Sequence, residues 1–134
     1  MENKYLFVCY ANKNRSIVGE RIFKEMLSER GFRVFGPENP LDWDYSVSSA
    51  GINPEDKSKE FSVSMVEGVR HLFVADEHIR RLLKSDFNFE DESRMVNLDI
   101  PDLYDITVDK KRKVLETIMR CRLFPYLPRR QYFP

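Results

Sequence analysis

The hydrophobic pattern changes period several times along the chain, and each change marks an element. Tyr5-Leu6-Phe7-Val8 is an apolar run without polar alternation, the signature of a strand covered on both faces, and it is expected to be the central strand. From Arg15 to Arg30 apolar residues recur as Ile17, Val18, Ile22, Phe23, Met26 and Leu27. That helical stripe stops at Gly31, a natural terminator. Pro37, Asn39, Pro40 and Asp42 make 36–44 a loop, with Phe32 to Phe35 a candidate strand extension before it and Tyr45 to Ser49 resuming β character. Beyond Gly51, Phe61, Met65 and Val69 recur every fourth residue and predict a short helix over 61–69. His71 to Ala75 reads as the next strand, Glu77 to Lys84 as a helix with Ile79, Leu82 and Leu83 inward, and Met95 to Leu98 as the fourth strand. A last helix over Asp109 to Leu123 should bury Val114, Leu115, Ile118 and Met119.

This β-α alternation implies an α/β fold, a four-stranded parallel sheet flanked by helices on both faces. A length of 134 residues suits one domain over 1–134. Residues 124–134 stand apart as a tail with three prolines, four aromatics and two arginines. The tail reads as a strap packed on the domain, with an exposed segment for docking a partner as the alternative.

Composition narrows the function classes. With 22 basic and 22 acidic residues the net charge is zero, so the basic surplus that meets a nucleic-acid backbone is missing. No apolar run approaches the roughly 20 residues needed to cross a bilayer, and Met1-Glu2-Asn3-Lys4 lacks the layout of a signal peptide. A cytoplasmic chain is expected, without nucleic-acid or membrane partners. Two cysteines, Cys9 and Cys121, are too few for a disulfide scaffold and lack zinc-site spacing. His71 and His78 read as structural or solvated, so neither a metal nor a cofactor is expected.

In a parallel α/β sheet, ligands bind where strand ends turn into helices. After the first strand that turn reads Cys9-Tyr10-Ala11-Asn12-Lys13-Asn14-Arg15-Ser16. A cysteine and an arginine six positions apart can face one anion there, joined by the backbone N–H groups of Tyr10 to Arg15 and by the helix N-terminus. Positive potential of this kind favours thiolate over thiol. Arg15 can grip two phosphoryl oxygens with its planar fork, which a lysine could not do. Ser16 can donate a hydrogen bond to the sulfur, and Asn12 suits a left-handed backbone and can pin the loop. Lys13 can add positive potential. Tyr10 and Tyr104 flank the proposed phosphate site as candidate pocket walls, with Trp43 and Tyr45 as weaker candidates.

The segments Leu6-Phe7-Val8-Cys9, Asn12, Arg15-Ser16 and Glu20 resemble the low-molecular-weight protein tyrosine phosphatases, whose signature runs V-C-x-G-N-x-C-R-S. Ser49-Ala50-Gly51 resembles that family's S-A-G, Phe73-Val74-Ala75-Asp76 its third-strand segment ending in M-D, and Ile100-Pro101-Asp102-Leu103-Tyr104 its acid loop. The resemblance implies metal-free hydrolysis of a phosphomonoester through a phosphocysteine on Cys9, with an aspartate protonating the leaving group. Ser49 would support the loop beside Asn12. Asp102, beyond Pro101, fits the family position of the acid; Asp99 is the alternative. Ala11, Asn14 and Leu103 depart from the pattern. Asn14 replaces the second cysteine with which the nucleophile forms a protective disulfide in many relatives.

Substrates implied are a phosphorylated protein, phosphotyrosine first, a phosphoarginine or a small phosphomonoester, with inorganic phosphate or sulfate as site ligands. Three rivals use the same loop. An arsenate reductase would need Cys121 as a further thiol, a sugar-transport phosphocarrier would hold its phosphocysteine, and a binding module would capture phospho-ligands without turnover.

Overall fold

Four parallel strands, β1 (Lys4–Cys9), β2 (Ser46–Gly51), β3 (Val69–Val74) and β4 (Met95–Asn97), form one sheet in the order β2-β1-β3-β4. The computed structural model describes residues 2–129. Helices α1 (Arg15–Glu29), α2 (Glu77–Phe87) and α3 (Asp109–Leu123) complete the architecture. The apolar run at Tyr5 to Val8 is accordingly an interior strand, hydrogen-bonded on both sides.

Alternation along β1 sends its side chains to two separate cores. Tyr5 and Phe7 join Val47, Phe73 and the inner faces of α1 and α3, including Val18, Ile22, Phe23, Leu115 and Met119. Leu6 and Val8 join Ala50, Leu72, Val74 and the inner face of α2 at Ile79 and Leu83. Each such fully buried side chain stabilises the fold by about 1.5–3 kcal/mol. Phe7 stacks on Phe73 with ring centroids 4.6 Å apart. Gly19 lets α1 lie directly on this pair, because a Cβ there would fall 2.4 Å from Phe7 Cδ1. The start of α1 is thereby locked to the strand that carries Cys9.

Register carries the positional consequence. Cys9 pairs with Gly51, and Val8 with both Ala50 and Val74. The carboxyl ends of the three longest strands therefore finish level at one sheet edge, where the turns after β1, β2 and β3 meet.

Several expectations need correction. No helix forms over 61–69; the crossover from β2 to β3 contains only single 3-10 turns at Lys57–Lys59 and Val63–Val66, and Val69 opens β3. Phe61 and Val69 do share one core, but they reach it from a loop and a strand, so their spacing mimics a helical period. Phe32 to Phe35 contributes only an isolated bridge from Val34 to Tyr45. Ile17 on α1 and Val114 on α3 face solvent rather than the core. Tyr126 and Leu127 pack on the α1–α3 core, and Arg30 donates to the Pro128 carbonyl at 2.9 Å. Residues 130–134, on which a docking segment would also draw, lie outside the described residues. Among the described residues, no helix is long and apolar enough to cross a membrane.

Candidate active site

The turn from Cys9 into α1 encloses a cavity of about 170 Å³ open to solvent, lined by Cys9, Tyr10, Ala11, Lys13, Asn14, Arg15 and Asp102. Cys9 is buried except at this cavity. Its sulfur lies 2.9 Å from Ser16 Oγ. Asn12 Nδ2 donates to Ser16 Oγ at 2.8 Å and to Ser49 Oγ at 3.0 Å. Since the Ser16 oxygen already accepts from an amide, its own proton is free to point at the sulfur. Asn12 takes the left-handed backbone, φ 54°, which curls the loop so that its side chain can reach across to β2.

Gly51 sets how closely the loop can approach the sheet. A Cβ there would meet Asn12 N at 2.9 Å and Tyr10 O at 3.0 Å, both backbone atoms that cannot swing aside. The Ile52 and Asn53 amides donate to the Cys9 and Tyr10 carbonyls at 3.0 and 2.8 Å, tying the loop down from behind. Gly51→Ala is therefore expected to push the loop off the sheet end. A stability loss of about 1–3 kcal/mol should result, with weakened phosphate binding, both readable by thermal melts with and without phosphate.

Arg15 begins α1 with its side chain only 4% exposed, yet it borders the cavity. Nη1 donates to Asp76 Oδ2 at 2.6 Å and to the Ile100 carbonyl at 2.7 Å. No acidic residue occupies the first turn of α1, so the positive end of the helix dipole is uncompensated where an anion would sit.

In the sequence Asp76 stands out only within the Phe73-Val74-Ala75-Asp76 resemblance, which does not place it against Arg15. Asp76 also caps α2, accepting from the Ile79 amide at 3.0 Å. An aspartate opening a helix after the strand beside β1 was the signal available. Burial pushes the Asp76 carboxyl up, but the Arg15 hydrogen bond and the Ile79 amide together hold it below the ordinary 3.8. A depressed carboxylate contributes stability above its unfolded value and loses it as pH falls through the folded one. Asp76→Asn keeps a cap but removes the close negative charge on Arg15, leaving it the Ile100 carbonyl and the longer contact to Asp102. It should cost about 1–3 kcal/mol at neutral pH, and the gap to wild type should close below pH 3.8 in an acid titration of melting temperature.

Asp102 borders the cavity with its carboxylate largely exposed, Oδ1 standing 3.9 Å from Arg15 Nε. Asp99, the alternative acid, is exposed in a left-handed conformation, φ 53°, and is not part of the cavity wall. Tyr10 lines the cavity and is 42% exposed. Tyr104 does not line it; the ring packs on the α1–α3 core because the chain turns inward toward Ile106. Trp43 and Tyr45 lie in another hollow with Glu2, Asn3 and Arg70, at the opposite end of β1. Lys13 at the rim pairs with Glu55 at 2.6 Å. Cys121 is an exposed free thiol on α3.

No protein-family model matches the chain, and no curated protein matches it. Solved structures do. The low-molecular-weight protein tyrosine phosphatase from T. tengcongensis matches with a TM-score of 0.68 at 18% identity, over 93% of this chain and 99% of that one. YfkJ from Bacillus subtilis matches with a TM-score of 0.67 at 19% identity, over 94% of each. The tyrosine phosphatase Wzb from Escherichia coli K30, in complex with phosphate, matches with a TM-score of 0.63 at 18% identity, over 90% of this chain and 96% of that one. The chain shares their fold, a parallel α/β sheet with helices on both faces.

Proposed function

We propose that the protein hydrolyses phosphomonoesters, with phosphotyrosine the leading substrate, through a phosphocysteine formed on Cys9. The observation that carries this reading is one cavity lined together by Cys9, whose sulfur is hydrogen-bonded to Ser16, by Arg15 and by Asp102. A fold shared with phosphatases, one of them holding phosphate, supports an oxyanion as the ligand.

Chemically the site needs two transfers. The Cys9 thiolate attacks phosphorus as the P–O bond to the alcohol breaks, and protonated Asp102 gives its proton to the departing oxygen. Backbone amides of the loop and Arg15 meet the charge on the three non-bridging oxygens. Water then attacks the phosphocysteine while the Asp102 carboxylate takes its proton; the P–S bond breaks, and the sulfur leaves as a thiolate that the Ser16 hydroxyl stabilises. Inorganic phosphate departs, and enzyme and protons are as they began. Tyr10, at the cavity mouth, offers an aromatic face to a phenol ring.

Arsenate reduction is disfavoured by position. Cys121 is an exposed thiol on α3 and does not line the cavity that holds Cys9. A phosphocarrier has no use for an acid beside Arg15. The test is a panel of phosphotyrosine peptide, phosphoarginine, phosphoserine peptide and small aryl phosphates. Turnover of phosphotyrosine and aryl esters above the rest is expected. Binding without turnover of any member contradicts the hydrolase reading.

A further inference from the structure

Asn14 stands at the N-cap of α1, where an asparagine side chain ordinarily accepts an amide of its own helix. Here it makes no such bond. Only the backbone caps, the Asn14 carbonyl accepting from the Val18 amide at 3.0 Å. The side-chain oxygen is spent 92 residues away, accepting from the Ile106 amide at 3.1 Å.

That bond closes a loop. The segment carrying Asp102 leaves the sheet at Ile100, which is fully buried, with its amide on the Ala75 carbonyl at 2.9 Å and its carbonyl on Arg15 at 2.7 Å. It returns at Ile106, half-buried on the α1–α3 core, through the Asn14 bond. Between these ties the backbone bonds are short-range: Leu103 N–H to the Pro101 carbonyl, and the Asp105–Thr107 turn. Asp102 itself makes no hydrogen bond among the described residues, and its carboxylate is 66% exposed. Its close charged partner is Arg15 Nε at 3.9 Å, a long ion pair, exposed at the carboxylate, that is too weak to fix its distance from the sulfur. The ties at 100 and 106, made by the consecutive residues Arg15 and Asn14, do so in its place.

We infer that Asn14 is a positioning residue for the general acid, holding the far end of the Asp102 loop to the phosphate-binding loop. The inference rests on the phosphatase reading and deepens it. Its consequence is selective: release of a tie at 106 moves the proton donor and leaves the oxyanion cradle in place. In kcat/KM, which reports the first phosphoryl transfer and not the later hydrolysis that Asp102 also assists, esters that need protonation should suffer more than esters whose leaving group departs without a proton.

The experiment compares wild type with Asn14→Ala, Asn14→Ser and Asn14→Asp over aryl phosphates of graded leaving-group basicity, with phosphate affinity by calorimetry and amide hydrogen exchange at Ile106. Serine keeps an N-cap residue but is too short to reach Ile106, so it separates helix stability from the tie. Aspartate keeps the acceptor and should retain both the wild-type leaving-group slope and Ile106 protection, even where its charge lowers every rate. Alanine and serine should expose Ile106 to exchange. They should also lower kcat/KM for phenyl phosphate about tenfold or more relative to 4-nitrophenyl phosphate, a fraction of the 10²–10⁴ a general acid supplies; any change in phosphate affinity would lower both esters alike and leave that ratio untouched. An unchanged slope in an active enzyme, whether or not Ile106 exchanges faster, overturns the inference. A wild type that turns over no ester in the series overturns the phosphatase reading itself, while the exchange arm reports separately on the tie.

Discussion

Cys9→Ser is expected to abolish turnover of aryl phosphates, by about 10⁴-fold or more, the scale seen when an enzyme loses its covalent nucleophile. A serine hydroxyl at neutral pH is a weak nucleophile without an adjacent base, and both histidines lie off the cavity wall. The exchange is nearly isosteric, and the links that shape the loop, Asn12 to Ser16, Asn12 to Ser49 and Ile52 to the residue 9 carbonyl, do not need sulfur. The variant should therefore fold and still bind phosphate. Steady-state assay with a phosphate-dependent melting shift checks both halves. A variant that keeps substantial activity would remove Cys9 from the chemistry, and one that fails to bind phosphate would point to a collapsed loop.

Asp102→Asn should slow phenyl phosphate by about 10²–10⁴-fold, the range a positioned general acid contributes. Asp99→Asn should do far less. The distinction is spatial: Asp102 forms part of the cavity wall near Arg15, whereas Asp99 faces solvent outside it. An asparagine at 102 keeps the size of the side chain but can neither deliver a proton to the leaving group nor take one from the attacking water, so the loss in kcat/KM, which reports the first transfer, should shrink for esters with acidic leaving groups. A larger effect from Asp99→Asn in the same assay would reverse the assignment.

Much of this was legible in the chain because its strongest signals are local. The run at residues 5–8 announces a doubly covered strand, and the stripe from Val18 to Leu27 announces a helix on its core, since both periods follow from backbone geometry alone. Ile17 and Val114 misled because an apolar residue at the border of a stripe can turn to solvent at small cost. The segment 61–69 misled because two elements delivered residues to one core at an accidental spacing. Distances across the sheet edge leave no trace of this sort. Asp76 on Arg15, Gly51 under the loop and Asn14 on Ile106 join residues 39 to 92 positions apart, and only the register of parallel strands brings them together. Tyr104 shows the reverse error: nearness in sequence to Asp102 suggests a pocket wall, but its half-buried ring packs with Ile106 against the α1–α3 core, while Asp105 between them stays exposed. Trp43 and Tyr45 were drawn to the pocket by residue type, and the parallel direction of β1 and β2 puts them at the other end of the strands.

The central claim, that the Cys9 sulfur accepts the phosphoryl group inside a cradle closed by Arg15, is tested most directly by trapping the intermediate. Rapid acid quench of the wild type during turnover of an aryl phosphate, followed by peptide mass analysis, should find one added phosphoryl group on the peptide containing Cys9. The same quench of Arg15→Lys should find the adduct formed far more slowly. Turnover with no phosphoryl adduct under any quench time, or an adduct on another residue, would contradict the account.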